Sequence, residues 1–301
     1  MKNYKTPALT LRQLRHFVAV AHSASVTRAA LELAITQPAL TESIRQIEGQ
    51  LDCQLFDRSS RRFLLTPTGE AILPMAERVL HVSSNTLDDM YALVGRRSRT
   101  LHVGMIPALA PRVIKALSRI SEQLAEVTFE MDDLSNQALI EEILSGKLDL
   151  GVGFRDKSRT DLPHGDHLFN DDIVLVIPRQ DELAALSSVS WQHLEERSIA
   201  VLQDGAVDGA LEKANQQTDT HHEPKYRTRY IETLAEIIKQ RYAVGIMPRL
   251  HAEFIAGDEL VVRPLVAPST SIEIVLFSLV QQPHVPIFVE CRQHVIELLK
   301  G

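Results

Sequence analysis

Residues 25–66 read SVTRAALELAITQPALTESIRQIEGQLDCQLFDRSSRRFLLT. Ser25 is placed to cap a short helix over residues 26–33, Ala34 and Ile35 make a turn, and Thr36 caps a longer helix. Pro38 falls in the first turn of that helix, where a missing N–H costs nothing. Ala29 and Ala30 are small enough for two helices to cross closely. Leu40, Ile44, Ile47 and Leu51 recur at i, i+4, i+7 and i+11 and so face one core. Upstream, Thr10 caps a first helix whose Leu11, Leu14, Phe17, Val18 and Ala21 form an apolar stripe. Downstream, the segment to Thr66 reads as a basic hairpin. Helix, turn, capped helix and hairpin in this order predict a winged helix-turn-helix, which lays one helix in the major groove of DNA.

The face of the third helix opposite its apolar stripe carries Gln37, Ala39, Thr41, Glu42, Arg45 and Gln46. Gln37 and Thr41 suit hydrogen bonds to base edges, and Ala39 suits contact with a thymine methyl. Arg45 and the hairpin arginines Arg58, Arg61 and Arg62 suit phosphates or the minor groove. Ser25, Thr27, Thr36 and Pro38, at the starts of the two helices, complete the candidate DNA-binding set. Any one of these residues also fits a solvated amphipathic helix beside a charged hairpin. It is the agreement of caps, turn, stripe and wing that points to DNA.

Three segments carry a resemblance to a known family: LRQLRHFVAVA, RAALELAITQPALTESIRQIE and LFDRSSRRFLLTPTGE. Together they resemble the LysR-type transcriptional regulators. That family's usual pattern has serine where Thr36 and Thr41 stand, and both exchanges keep a hydroxyl. Phenylalanine is common where Val26 sits, a difference in packing. The resemblance implies a ligand-controlled DNA-binding regulator.

The bulk properties fit this. In 301 residues, 45% hydrophobic and 24% charged, there is room for two or three globular domains. No run of about 18 apolar residues predicts a membrane span, and the N-terminal residues lack the apolar core of a signal peptide, so a cytoplasmic location is expected. The net charge of −7 is asymmetric: residues 1–100 hold 13 Lys+Arg against 9 Asp+Glu, and the rest hold 19 against 30. A basic end on an acidic body confines phosphate attraction to that end. Cys53 and Cys291 fall in different predicted domains, so a structural disulfide is not expected.

Thr66 and Pro67 begin another helix, running to about Gly95, with Glu70 favourably placed in its first turn. Ile72, Met75, Val79, Val82, Leu87, Met90 and Leu93 recur at roughly heptad spacing. A helix of about 40 Å outreaches a small winged domain, so its stripe needs a partner, most simply a second copy. Packing against the chain's own C-terminal domain is the alternative. By resemblance, the linker forms an antiparallel pair in a homodimer, and the assembly is a homotetramer of dimers.

From about residue 100, strands alternate with helices: LHVGMI, VTFEMDD and LDLGVGF as strands of a βαβαβ unit with a parallel sheet. A His/Gly-rich loop then leads to DIVLVIP, SIAVLQ, YRTRYIE and VGIM. IEIVLFSLV and a C-terminal helix return to the first lobe. The overall class is α/β, and the pattern resembles a two-lobed periplasmic-binding-protein-like effector domain. The expected boundaries are 1–66 for the reader, 67–96 for the linker and 97–301 for the effector domain. Its lobe 1 is expected at about 100–168 and 266–301, and lobe 2 at about 169–265.

Ligands of such folds sit at strand C-termini between lobes. The candidates there are Met105, Ile106, Pro107, Ala108, Ser135, Asn136, Phe154, Arg155, Gln203, Asp204, Thr233, Gly245 and Ile246. Arg155 is the expected countercharge. Ser135, Thr233 and Asp204 fit equally as helix caps. Without a hydroxyl in the first loop, and with Asp204 and Glu232 nearby, the expectation is a small organic effector with an apolar part, such as a carboxylate, rather than an inorganic anion.

His164 with His167, and His221-His222-Glu223, lie in polar stretches without further ligands at metal-binding spacing. No resident metal or cofactor is expected. No nucleophile elbow, Walker loop or dinucleotide fingerprint occurs, and no enzymatic activity is predicted. The expected partners are double-stranded DNA bearing an interrupted palindromic operator, a small-molecule effector and further copies of the chain, with RNA polymerase as another candidate. The competing interpretation is a solute-binding or receptor protein without DNA function.

Overall fold

The computed structural model of the chain describes residues 9–57, 63–94, 99–123, 127–156, 159–218, 221–279 and 286–300. Two compact units emerge, Met1–Arg99 with Leu144–Lys147, and Thr100–Ile143 with Leu148–Gly301.

In the first unit, Thr10 and Gln13 cap α1 (Leu11–Ser23) reciprocally. The Gln13 N–H donates to Thr10 Oγ1 at 3.2 Å, and the Thr10 N–H to Gln13 Oε1 at 2.9 Å. Ser25 Oγ accepts from the Arg28 N–H at the start of α2 (Val26–Glu32), and Thr36 Oγ1 from the Ala39 N–H at the start of α3 (Gln37–Leu51). β1 (Phe56–Asp57) pairs antiparallel with β2 (Leu64–Leu65). Phe17, Val20, Ala29, Leu40, Ile44, Ile47, Leu55 and Phe56 are buried in one cluster, with the Phe17 and Phe56 rings edge to face at 5.6 Å. A fully buried side chain of this size contributes about 1.5–3 kcal/mol.

Thr66 Oγ1 accepts from the Gly69 N–H (3.0 Å) and starts α4 (Pro67–Leu93). Gly69 is required by close approach: a Cβ there would stand 2.2 Å from the Leu55 carbonyl oxygen. Ile72, Leu73 and Ala76 pack into the cluster shared with α1. Ile72, expected on the partner-seeking stripe, therefore serves its own domain. Met75, Val79, Val82, Leu87, Met90, Tyr91 and Val94 are exposed.

The second unit is built on a mixed sheet. Its first lobe holds β3 (Arg99–Met105), α5 (Ala110–Gln123), β4 (Val127–Asp133), α6 (Asn136–Leu144) and β5 (Leu150–Phe154). β6 (His164–Pro178) follows, then the short β7 (Val189–Ser190). The second lobe continues with β8 (Ile199–Leu202), α7 (Asp208–Gln217), β9 (Pro224–Thr228), α8 (Ile231–Lys239), β10 (Val244–Pro248), α9 (Arg249–Ile255) and β11 (Leu260–Val266). β12 (Ser271–Ser278) and α10 (Pro286–Lys300) close the chain. The strand order is β4-β3-β5-β12-β6-β10-β8-β9, with β11 joined to β6 and β7.

β3 and β5 pair in parallel, as do β8 and β9, while β6 runs antiparallel to β12, β10 and β11. β6 spans both lobes: residues 164–172 pair with β12, and 173–178 pair with β10 and β11. Two expectations change here. The His/Gly-rich segment from His164 is strand rather than loop, and β11 was not anticipated. In residues 164–172 only Leu168 and Asp171 are buried, so no apolar alternation marked the strand; its backbone pairing with β12 makes it one. The main core of the second lobe centres on Trp191, Leu175, Val201 and Ile246. Trp191 donates its indole N–H to the Pro268 carbonyl at 2.9 Å.

Candidate nucleic-acid interface and effector cleft

Thr36 and the first turn of α3 stand clear of the protein. Gln37, Pro38 and Ala39 are exposed, as are Arg45 on the same helix and Thr27 on α2, while Ser25 is half-buried by its capping role. Thr41 is half-buried, and its hydroxyl donates to the Gln37 carbonyl (3.0 Å), which leaves its oxygen as an acceptor. Arg12, Arg15 and Arg28 add exposed positive charge on α1 and α2. Arg58, Arg61 and Arg62 lie outside the described residues.

Two buried polar contacts hold α3, and the sequence reading missed both. His16 Nδ1 on α1 lies 2.7 Å from Ser43 Oγ on α3. Burial lowers the His16 pKa, and Arg12 and Arg15 lower it further. Glu48, 8% exposed, accepts from the Leu55 N–H (2.9 Å) and the Phe56 N–H (3.4 Å), tying the helix to the first strand of the wing. The available signal was a carboxylate beside Ile47 and one turn after Ile44, on the core-facing edge.

In the second unit, a groove of about 760 Å³ opens between the lobes. Its walls include Phe154 and Arg155 from the end of β5, Gly205 and Ala206 before α7, Asp172 and Ile173 from β6, and the Ser269–Glu273 crossing. Phe154 and Arg155 thus meet the loop that contains Gln203 and Asp204. Gln203 is exposed, and Asp204 Oδ1 accepts from the Ala206 N–H at 3.0 Å. Asp172, Asp208, Lys213 and the crossing were not anticipated, because the pairing of β6 with β12 and the placing of α7 beside the crossing bring together residues that are remote in sequence.

Other candidates sit elsewhere. Met105 and Ile106 are buried, and the following turn, Pro107–Leu109 with Ala108, packs against α9. Ser135 Oγ accepts from the Ala138 N–H (3.3 Å) as a helix cap, and Thr233 is exposed on α8. Asn136 is buried and committed: its amide donates to the Phe154 carbonyl and accepts from the Phe154 N–H, both at 2.9 Å. Gly245 and Ile246 are interior residues of β10; a Cβ on Gly245 would stand 2.3 Å from Ile238 Cδ1. The strand's C-terminal end is Pro248, so these two point into packing rather than the groove.

Arg155 also departs from its expected role. Its Nε donates to Glu273 Oε2 (3.0 Å) and its Nη2 to the Gly165 carbonyl (2.9 Å), so the guanidinium already has an anion. The groove lining carries Asp156, Asp172, Asp208, Glu212 and Glu273 against Arg155 and Lys213. Deeper, at the lobe crossing, Asp171 Oδ2 accepts from the Leu250 N–H (3.2 Å), and burial pushes its carboxyl up to about 6. His251 on α9 is buried and held low by that burial, an effect that the nearby Asp204 opposes. Among the described residues no group of three or more His, Cys, Asp or Glu side chains is placed to hold a metal, and no helix is long and apolar enough to cross a membrane.

Two family models match this chain. One, described as "Bacterial regulatory helix-turn-helix protein, lysR family", covers residues 11–70, and the other, "LysR substrate binding domain", covers residues 95–300. The chain belongs to the LysR family.

It is 26% identical over 245 residues to a probable hydrogen peroxide-inducible genes activator of Streptomyces viridosporus, covering 79% of this chain and 77% of that one. It is 25% identical over 252 residues to the DNA-binding transcriptional dual regulator OxyR of Escherichia coli, covering 80% of each. Among solved structures it shares its fold with the LysR family regulator CbnR in complex with its target DNA. There the TM-score is 0.68 at 18% identity, over 96% of this chain and 100% of that one. Full-length OxyR from Pseudomonas aeruginosa gives the same TM-score at 21% identity, over 97% and 95%. As a LysR-family protein, the chain is a DNA-binding transcriptional regulator with an effector-binding domain. Its two cysteines, Cys53 and buried Cys291, lie in different units.

Proposed function

We propose that this regulator reads an interrupted palindrome through the exposed N-terminal end of α3, with paired recognition helices in successive major grooves. The observation that carries the reading is the joining of a LysR helix-turn-helix and a LysR effector domain in one chain. The exposed apolar residues of α4 support a homodimer formed along that helix, and two dimers make a tetramer. A small organic effector in the inter-lobe groove shifts lobe closure and thereby changes how the two readers engage DNA. With Arg155 committed to Glu273, Lys213 is the remaining cation of the groove lining, and the surplus of carboxylates around it favours neutral or amine-bearing molecules over a carboxylate. The groove carries out no chemical step. The protein works in the cytoplasm, where DNA and RNA polymerase are its macromolecular partners.

Capture of genomic fragments by the purified protein, followed by sequencing, tests this. A few enriched sites sharing an interrupted palindrome are expected, with binding that weakens steeply as salt rises. Salt-sensitive binding without a shared motif overturns the assignment of α3 as a base reader. No binding at any salt leaves a small-molecule receptor.

A further inference from the structure

Leu40, Ile44 and Ile47 are buried at 0–1% exposure and define the inward direction of α3. At about 100° per residue, Glu42 projects within roughly 20° of the opposite direction. It is exposed at the centre of the outward face, while Thr41 lies at the edge of that face and Gln37 reaches solvent from the first turn, on the side nearer the core. Its Oε1 accepts from the Gln46 side-chain amide one turn on (3.4 Å), and among the described residues no basic side chain pairs with it. Gly49 lies on the same outward line, seven residues further. A Cβ there would meet nothing within 4 Å, so nothing in the chain's own packing calls for glycine, although glycine within a helix costs about 1 kcal/mol relative to alanine. The outward face is thus low at Gly49, which leaves room for an outside surface to approach.

A carboxylate at the centre of a surface that meets DNA is repelled by phosphate oxygens. In the major groove it is also repelled by guanine O6 and N7 and by adenine N7. The amino group that it can accept from without an adjacent acceptor on the same base is cytosine N4. We propose that Glu42 is a base-reading residue, its carboxylate accepting a hydrogen bond from the N4 amino group of one cytosine in each half-site. This rests on the proposal that α3 reads DNA, and it adds a specificity determinant to that face.

The test is selection from a randomised duplex library by the full-length protein, as wild type, Glu42→Gln and Glu42→Ala. Binding titrations on the selected site and its single-base variants follow. Wild type is expected to require cytosine at one position per half-site, by on the order of tenfold to a hundredfold. Glu42→Gln shifts that position toward adenine, Glu42→Ala loses the preference, and the remaining positions stay unchanged. Two results overturn the proposal: the same motif from all three proteins, or a uniform gain in affinity for every sequence in both variants. If wild type selects no motif, the DNA-reading proposal itself fails, which separates the two ideas. Glu42 is exposed, so the variants should fold; equal thermal midpoints verify this.

Discussion

Glu48 on α3 accepts a hydrogen bond from the backbone N–H of Leu55 at 2.9 Å, so the recognition helix and the first strand of the wing are joined through one buried carboxylate. That contact adds to the packing of Leu55 and Phe56 in the same buried cluster as Ile44 and Ile47. Replacing Glu48 with alanine strands the Leu55 and Phe56 N–H groups. A loss of about 2–3 kcal/mol is expected, since hydrogen bonds to a charged group contribute more than neutral ones. Glu48→Gln keeps an acceptor and should lose less. Denaturant unfolding of the two variants checks this; equal and small losses would show that the contact is not structural.

Arg155 and Glu273 form the corresponding tie in the effector unit. If the guanidinium is structural, Arg155→Ala should lower stability by about 1–2 kcal/mol without any ligand, because Glu273 and the Gly165 carbonyl lose their donor. The double variant Arg155→Ala/Glu273→Ala should recover part of the loss. A variant with unchanged stability that no longer responds to effector would restore Arg155 as the countercharge.

Asp171 predicts a pH dependence. Burial raises its carboxyl, with help from Glu253 and Asp172 and opposition from the Leu250 N–H and Arg112. With a folded pKa of about 6, above the ordinary 3.8, it takes up a proton on folding. Its stabilising contribution is complete below about pH 4 and is lost as pH rises through 6. His16, His222 and His251, all lowered by burial, act in the opposite sense below their ordinary pKa. They are common to wild type and Asp171→Asn and cancel in the difference. Relative to the variant, wild type should lose on the order of 1–2 kcal/mol between about pH 4 and 7, allowing for solvent screening. Parallel stability curves for the two proteins would place the carboxyl in water.

On DNA, Gln37→Ala should relax preference at one position by about 1–3 kcal/mol, and Arg45→Ala should weaken all sequences alike and reduce the salt slope by about one. Titrations against single-base variants at several salt concentrations distinguish them. A sequence-selective loss for Arg45→Ala would move that arginine from phosphate to base.

The reader was legible because its determinants are local. Thr10, Ser25 and Thr36 cap the helices that follow them, and Leu40, Ile44 and Ile47 repeat at helical spacing within one helix. The βαβ order of the effector domain was legible for the same reason. The long strand β6 was less so, since much of its first half is exposed and only its pairing with β12 makes it a strand.

The sequence by itself determined the helix-turn-helix, the long linker helix and the alternation that builds the effector domain, because capping and apolar periodicity act over a few residues. Tertiary structure alone decided which candidate side chains remained available to a ligand. Arg155 meets Glu273 across 118 residues, and Asn136 is committed to Phe154 across 18. Buried polar groups take whatever partner the fold brings within reach, and no local spacing encodes a partner supplied by a returning strand.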